Sequence, residues 1–131
     1  NRYDDGTGTY RYRALNEAHF GNCIITGNQE SEVGLGYGNQ AAFNYYFEGC
    51  LLKLKVNPIP ATYDVQDMNF FNQCQFNTNP QFVMVDSRNF QLDSASAALN
   101  IGLMGPALRV PQDALGLVRG STPDAGALER P

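Results

Sequence analysis

Apolar and polar positions along the chain fall into a recurring motif. The segments HFGNCIIT, YFEGCLLK and FFNQCQFN each read Phe-x-x-Cys-x-apolar, through Phe20, Cys23 and Ile25, then Phe47, Cys50 and Leu52, then Phe71, Cys74 and Phe76. The cysteines stand 27 and 24 residues apart. Segments this short and this rich in aromatic and branched residues, bounded by Gly and Asn, predict strands rather than amphipathic helices. From Cys to the next apolar residue is a step of two, which keeps both on one face of a strand. From Phe to Cys is a step of three, so the chain must bend or bulge between them. Asn22, Gly49 and Gln73 stand immediately before the cysteines, and polar or flexible residues suit such a corner.

A near-constant period with a corner in each repeat predicts one turn of a β-solenoid per repeat. Equivalent residues would then stack about 4.8 Å apart. The expected ladders are Phe20 over Phe47 over Phe71, and Cys23 over Cys50 over Cys74, all facing inward. In CLLKLK, Lys53 and Lys55 alternate with Leu52 and Leu54, which places the two lysines on the outward flank.

Composition fits a β-rich fold with many tight turns. The 131 residues are 43% hydrophobic and only 17% charged, enough for one domain with a core. The net charge is −4 and the nine Lys and Arg are scattered, with Arg2, Arg11 and Arg13 beside Asp4 and Asp5. Nucleic acid is therefore excluded as a partner. Apolar runs are a few residues long, so no membrane span is expected. The chain begins at Asn1 without a Met and shows no signal peptide, which says nothing about compartment.

The tail carries a resemblance. FQLDSASAALNIG is followed by DALGLVRGSTPDAGALE. It resembles the C-terminal end of secreted, pectate-lyase-like right-handed parallel β-helix proteins of the Bacteroidetes type, through Phe90, Leu92, Ser96, Ala98, Leu99, Asn100 and Gly102. Asp113, Gly116 and Arg119 continue the match, then Pro123, Asp124, Gly126, Ala127 and Glu129. Ala97, Ala125 and Leu128 depart from it, standing where Pro, Ile and an aromatic residue are usual.

The resemblance implies an all-β, right-handed parallel β-helix of about four coils with an irregular C-terminal closing segment. Residues 1–17 would be a lead-in continuing from upstream coils, 18–92 the coils and 93–131 the closing segment. The function implied is that of the non-catalytic C-terminal coils of a secreted, cell-surface or periplasmic protein that interacts with carbohydrate. The alternatives are part of a polysaccharide lyase whose catalytic coils lie upstream, and a structural or adhesin stalk. The implied partners are those upstream coils, from the same protein or another chain, and polysaccharide.

The chemical candidates are few. A disulfide needs Cβ atoms about 3.8 Å apart and facing each other, which parallel ladder neighbours do not offer. A metal site needs converging ligands, and His19 is the one imidazole. A nucleophile needs a nearby base. Inert core packing is the favoured reading of Cys23, Cys50 and Cys74, with no metal and no cofactor expected. Glu17 and His19 would share an outward strand face, as a base with its orienting carboxylate or as a solvated pair. Lys53 and Lys55 could hold uronate carboxylates or simply solvate the flank. Glu30, Glu32, Asp64 and Asp67 are scattered carboxylates, and GLGYGN (34–39) fails the phosphate-loop pattern at Asn39. Asp113, Arg119, Asp124 and Glu129 are read as a clasp that ties down the tail. No residue is assigned a catalytic role.

Overall fold

The computed structural model describes residues 2–36, 40–56 and 62–131. The chain opens with an antiparallel hairpin, β1 (Arg2–Asp4) and β2 (Tyr10–Tyr12). Its turn is tied by the Asp5 carboxylate, which accepts from Thr7 and from Arg11 Nε at 2.9 Å. Those donors hold the Asp5 carboxyl below the usual carboxylate range.

The three repeats follow. Each contributes a strand, a corner residue and a second strand: β3 (His19–Gly21) and β4 (Ile24–Ile25), β5 (Tyr46–Glu48) and β6 (Leu51–Leu52), β7 (Phe71–Asn72) and β8 (Gln75–Phe76). They form two parallel sheets, ordered β3-β5-β7 and β4-β6-β8. Phe20, Phe47 and Phe71 lie in register, and their rings stack at centroid spacings of 4.7 and 5.6 Å. The corner residues Asn22, Gly49 and Gln73 all adopt the left-handed conformation, at φ of 51°, 60° and 50°. Asn, Gly and Gln supply it where a β-branched residue would be strained.

Each cysteine turns its Sγ back across the corner to a carbonyl two residues earlier: Cys23 to Gly21, Cys50 to Glu48, Cys74 to Asn72. The thiol thus serves as a small inward apolar group and a weak donor to the carbonyl that the bend displaces.

Alternation splits the second strands between two cores. Cys50, Leu52 and Leu54 face the first core with Phe47, Phe71 and Leu35. Leu51 faces the opposite way, into a second core with Leu92, Ala98 and Ala125, against which Ile24 also packs. The remaining chain covers that second core. It consists of the antiparallel pair β9 (Phe82–Met84) and β10 (Asn89–Leu92), joined by a 3-10 turn, a single helix α1 (Met104–Arg109), and an irregular tail.

The expected four-coil β-helix is not what forms. The described residues hold several small sheets, parallel and antiparallel, with no closed or solenoid sheet. The repeats pair in parallel, but their strands are two or three residues long and each sheet stops at three strands. Stretches such as TGNQESE and NTNP lack the alternating apolar residues that would extend pairing around a full turn. Among the described residues flanking the repeat strands, Leu15 and Phe43 form an isolated parallel bridge. Beyond β8 the strands are antiparallel, which a parallel coil does not contain. The ladder residues are also unequally covered. Phe47 and Phe71 are 1% and 3% exposed, whereas Phe20 is 37% exposed. Cys50 is buried while Cys23 and Cys74 are half-buried. No helix among the described residues is long and apolar enough to cross a membrane.

Candidate functional site

Polar side chains converge where the tail meets the outer corner of the first two repeats. Asn22 is buried there. Its Oδ1 accepts from the Leu103 N–H at 2.7 Å, and its Nδ2 donates to the Leu103 carbonyl at 2.9 Å. The side chain therefore mimics a strand partner for one residue of the tail. Gly49 lies directly below. A Cβ there would sit 2.6 Å from Asn22 Oδ1 and 3.0 Å from Leu103 N, so only glycine leaves room for the clasp. The Gly126 N–H donates to the Asn22 carbonyl at 2.7 Å and joins a second tail segment to the same corner.

Asn22→Gly keeps the left-handed corner but strands the Leu103 N–H and leaves the Leu103 carbonyl with the Ala107 N–H alone. The expected loss is about 1–3 kcal/mol, measured by urea denaturation. Hydrogen exchange at the Leu103 amide should accelerate, and unchanged protection there would dismiss the clasp.

The structure brings Asp113, Arg119, Asp124 and Glu129 together. Arg119 forms an ion pair with Glu129, the side chains being 7% and 9% exposed. Arg119 also donates from Nη2 to the Gly126 carbonyl at 2.9 Å and from Nη1 to that of Asp124. Asp124 accepts from the Asn100 and Arg130 N–H groups at 2.8 Å each. Asp113 accepts from the backbone of Glu129, Leu115 and Leu117. The Glu129 N–H foremost, then those of Leu117 and Leu115 and the nearby Arg119 charge, hold its carboxyl below the usual range.

His19 meets a different carboxylate from the one its sequence neighbours suggest. Its Nε2 lies 2.7 Å from Glu48 Oε1 on β5, while Arg109 Nη1 lies 3.2 Å from its Nδ1. A guanidinium only donates, so Nδ1 accepts and Nε2 donates to Glu48. Both ring nitrogens are engaged in fixing the end of α1 to β3 and β5. Glu17 lines the same shallow depression of about 160 Å³ as His19 and Tyr46. Lys55 pairs with Glu30 at 3.1 Å. Lys53 makes no ion pair among the described residues, and its backbone joins the first two repeats through Ile25 and Glu32. Residues 34–36 of GLGYGN are described, and 37–39 lie outside the described residues.

The cysteines are free. Hydrogen bonding with Cys50, then burial, pushes the Cys23 thiol well above its ordinary range. For Cys50, hydrogen bonding with Cys23 favours the thiolate, but Cys74 and burial outweigh it and the thiol is pushed up to about 12. Hydrogen bonding from Cys50 lowers Cys74 despite burial. Among the described residues no group of His, Cys, Asp and Glu could hold a metal ion.

Sequence reasoning missed an apolar cavity of about 630 Å³ beside the Asn22 corner. Ile24 and Thr26 line it from the first repeat, Phe82 and Phe90 from the β9–β10 pair, and Pro106 and Val110 from α1 and its end. The approach of α1 depends on Gly21, where a Cβ would lie 2.5 Å from the Pro106 ring. The doublets Ile24-Ile25 and Leu51-Leu52 were the available signal, because strands apolar on both faces need a second covering layer. Comparison with protein-family models, curated proteins and solved structures gives no match.

Proposed function

We propose that this chain is a non-catalytic part of a secreted or cell-surface protein that interacts with carbohydrate. The observation that supports a non-catalytic role is the use to which its polar groups are put. His19, Asp113, Arg119, Asp124 and Glu129 are each bound into contacts that fasten α1 or the tail to the repeats. A general base or nucleophile needs a free atom aimed at substrate. The carbohydrate reading rests on the resemblance of the tail and on the basic flank at Lys53. A further strand-bearing segment, from the same protein or another chain, is proposed to pair with β3. Among the described residues β3 pairs with β5 alone, and the outermost ladder ring, Phe20, is the exposed one.

Glycan-array binding tests this reading. Lys53→Ala should weaken binding of uronate-containing glycans several-fold. Lys55→Ala should weaken it less, because Glu30 already neutralises that lysine through a surface pair worth about 0–1 kcal/mol. Unchanged binding in both variants would remove the flank from the account. Release of unsaturated uronate by the protein would overturn the non-catalytic role.

A further inference from the structure

The apolar cavity is separate from the lysine flank, and its chemistry is not that of a polyanion site. Its lining is dominated by Ile24, Phe82, Phe90, Leu92, Val110 and Leu128. The one charged side chain in that lining is Arg119, and it is already engaged by Glu129 and by the Asp124 and Gly126 carbonyls. A charged ligand would therefore lose its hydration without gaining a partner. Phe82 and Phe90 meet edge to face at 5.4 Å and 87°, and Phe90 is still 48% exposed. The Phe90 ring is thus held by its neighbour yet keeps much of its surface open to a ligand.

A polar handle lies alongside. Leu51 and Lys53 donate to the carbonyls of Cys23 and Ile25, so the N–H and C=O of Ile24 between them lie on the outer edge of β4. The volume is in the range of sites that enclose a drug-sized molecule, about 300–1,000 Å³, and the mix of apolar walls with a few backbone polar groups is what such sites carry.

We propose that this cavity binds an uncharged, largely apolar small molecule, packed against Phe90, Ile24 and Val110 and hydrogen-bonded to the outer edge of β4. The site is independent of the carbohydrate reading and stands if that reading fails.

Two probes that share a ring system test it. N-phenyl-1-naphthylamine is neutral, and 8-anilinonaphthalene-1-sulfonate adds a sulfonate. Fluorescence titration of the wild-type protein should show saturable one-to-one binding of the neutral probe, with the sulfonate bound about tenfold more weakly or worse. Phe90→Asp and Val110→Trp, the first charging the wall and the second filling the space, should each cost about tenfold in affinity for the neutral probe. Both positions are exposed, so far-ultraviolet circular dichroism and the thermal midpoint should stay near wild type. Leu115→Asp, at an exposed apolar residue outside the cavity, should leave binding unchanged. Non-saturable binding, tighter binding of the sulfonate, or affinity that ignores both Phe90→Asp and Val110→Trp while the fold is intact would overturn the proposal.

Discussion

Replacing Arg119 with Met is expected to destabilise the protein by about 3–5 kcal/mol, the cost of leaving one member of a buried ion pair uncompensated. The Glu129 carboxylate is the group left behind. It sits with Arg119 where both side chains are under a tenth exposed, and what stays close to it is the Asp124 N–H, at 3.2 Å. The carbonyls of Gly126 and Asp124 lose their side-chain donor in the same step. Urea denaturation should show a lower midpoint with an unchanged slope if the variant folds to the same compact state. The decisive comparison is the double variant Arg119→Met with Glu129→Gln, which removes the stranded charge and keeps the shape. It should recover a substantial part of the loss, giving a coupling energy of about 0.5–3 kcal/mol. A single-variant cost below about 1 kcal/mol would place the pair with ordinary surface ion pairs and dismiss the clasp.

The clasp also shows how much of the molecule could be read before its coordinates. Its four ionisable members were identifiable through the resemblance of the tail, whose matched positions they occupy, and because carboxylates and a guanidinium there can bond one another or the backbone. Their backbone partners at Gly126, Asn100 and Leu117 were not, because a carbonyl or N–H leaves no mark on the sequence. The corner residues were legible for a local reason. A step of three between inward side chains demands a bend, and Asn22, Gly49 and Gln73 all take the left-handed conformation.

The fold class failed for a non-local reason. A six-residue repeat specifies the register Phe20–Phe47–Phe71. It says nothing of whether the intervening stretches add strands that carry the sheet around a full turn. The partner of His19 failed in the same way. Glu17 is near in sequence, but the adjacent strand places Tyr46 beside His19 and Glu48 beside Gly21, and it is the Glu48 carboxylate that reaches the ring. The second core was half visible, in the two-sided apolar doublets, but which segment covered it depended on contacts such as that between Asn22 and Leu103, 81 residues apart.

Phe47→Ala is expected to cost about 3–5 kcal/mol, as for truncation of a fully buried aromatic ring. Phe47 is the middle ring of the ladder, tilted 13° from Phe20 and 3° from Phe71, with Tyr45 edge-on at 6.0 Å. Its removal opens a gap that parallel strands held about 4.8 Å apart by their hydrogen bonds cannot close. Phe47→Leu conserves most of the volume and should cost no more than about 1.5 kcal/mol beyond the lost stacking. Phe20→Ala serves as the internal comparison. Its ring stacks on Phe47 on one side only and is over a third exposed, so the same truncation should cost clearly less. Pairing the two substitutions in a double-mutant cycle should return about 0.5–1.5 kcal/mol for the Phe20–Phe47 stack. Equal costs for Phe20→Ala and Phe47→Ala would mean that Phe20 is as buried as its neighbour when the protein is in solution. That would in turn require a covering segment on the outer edge of β3.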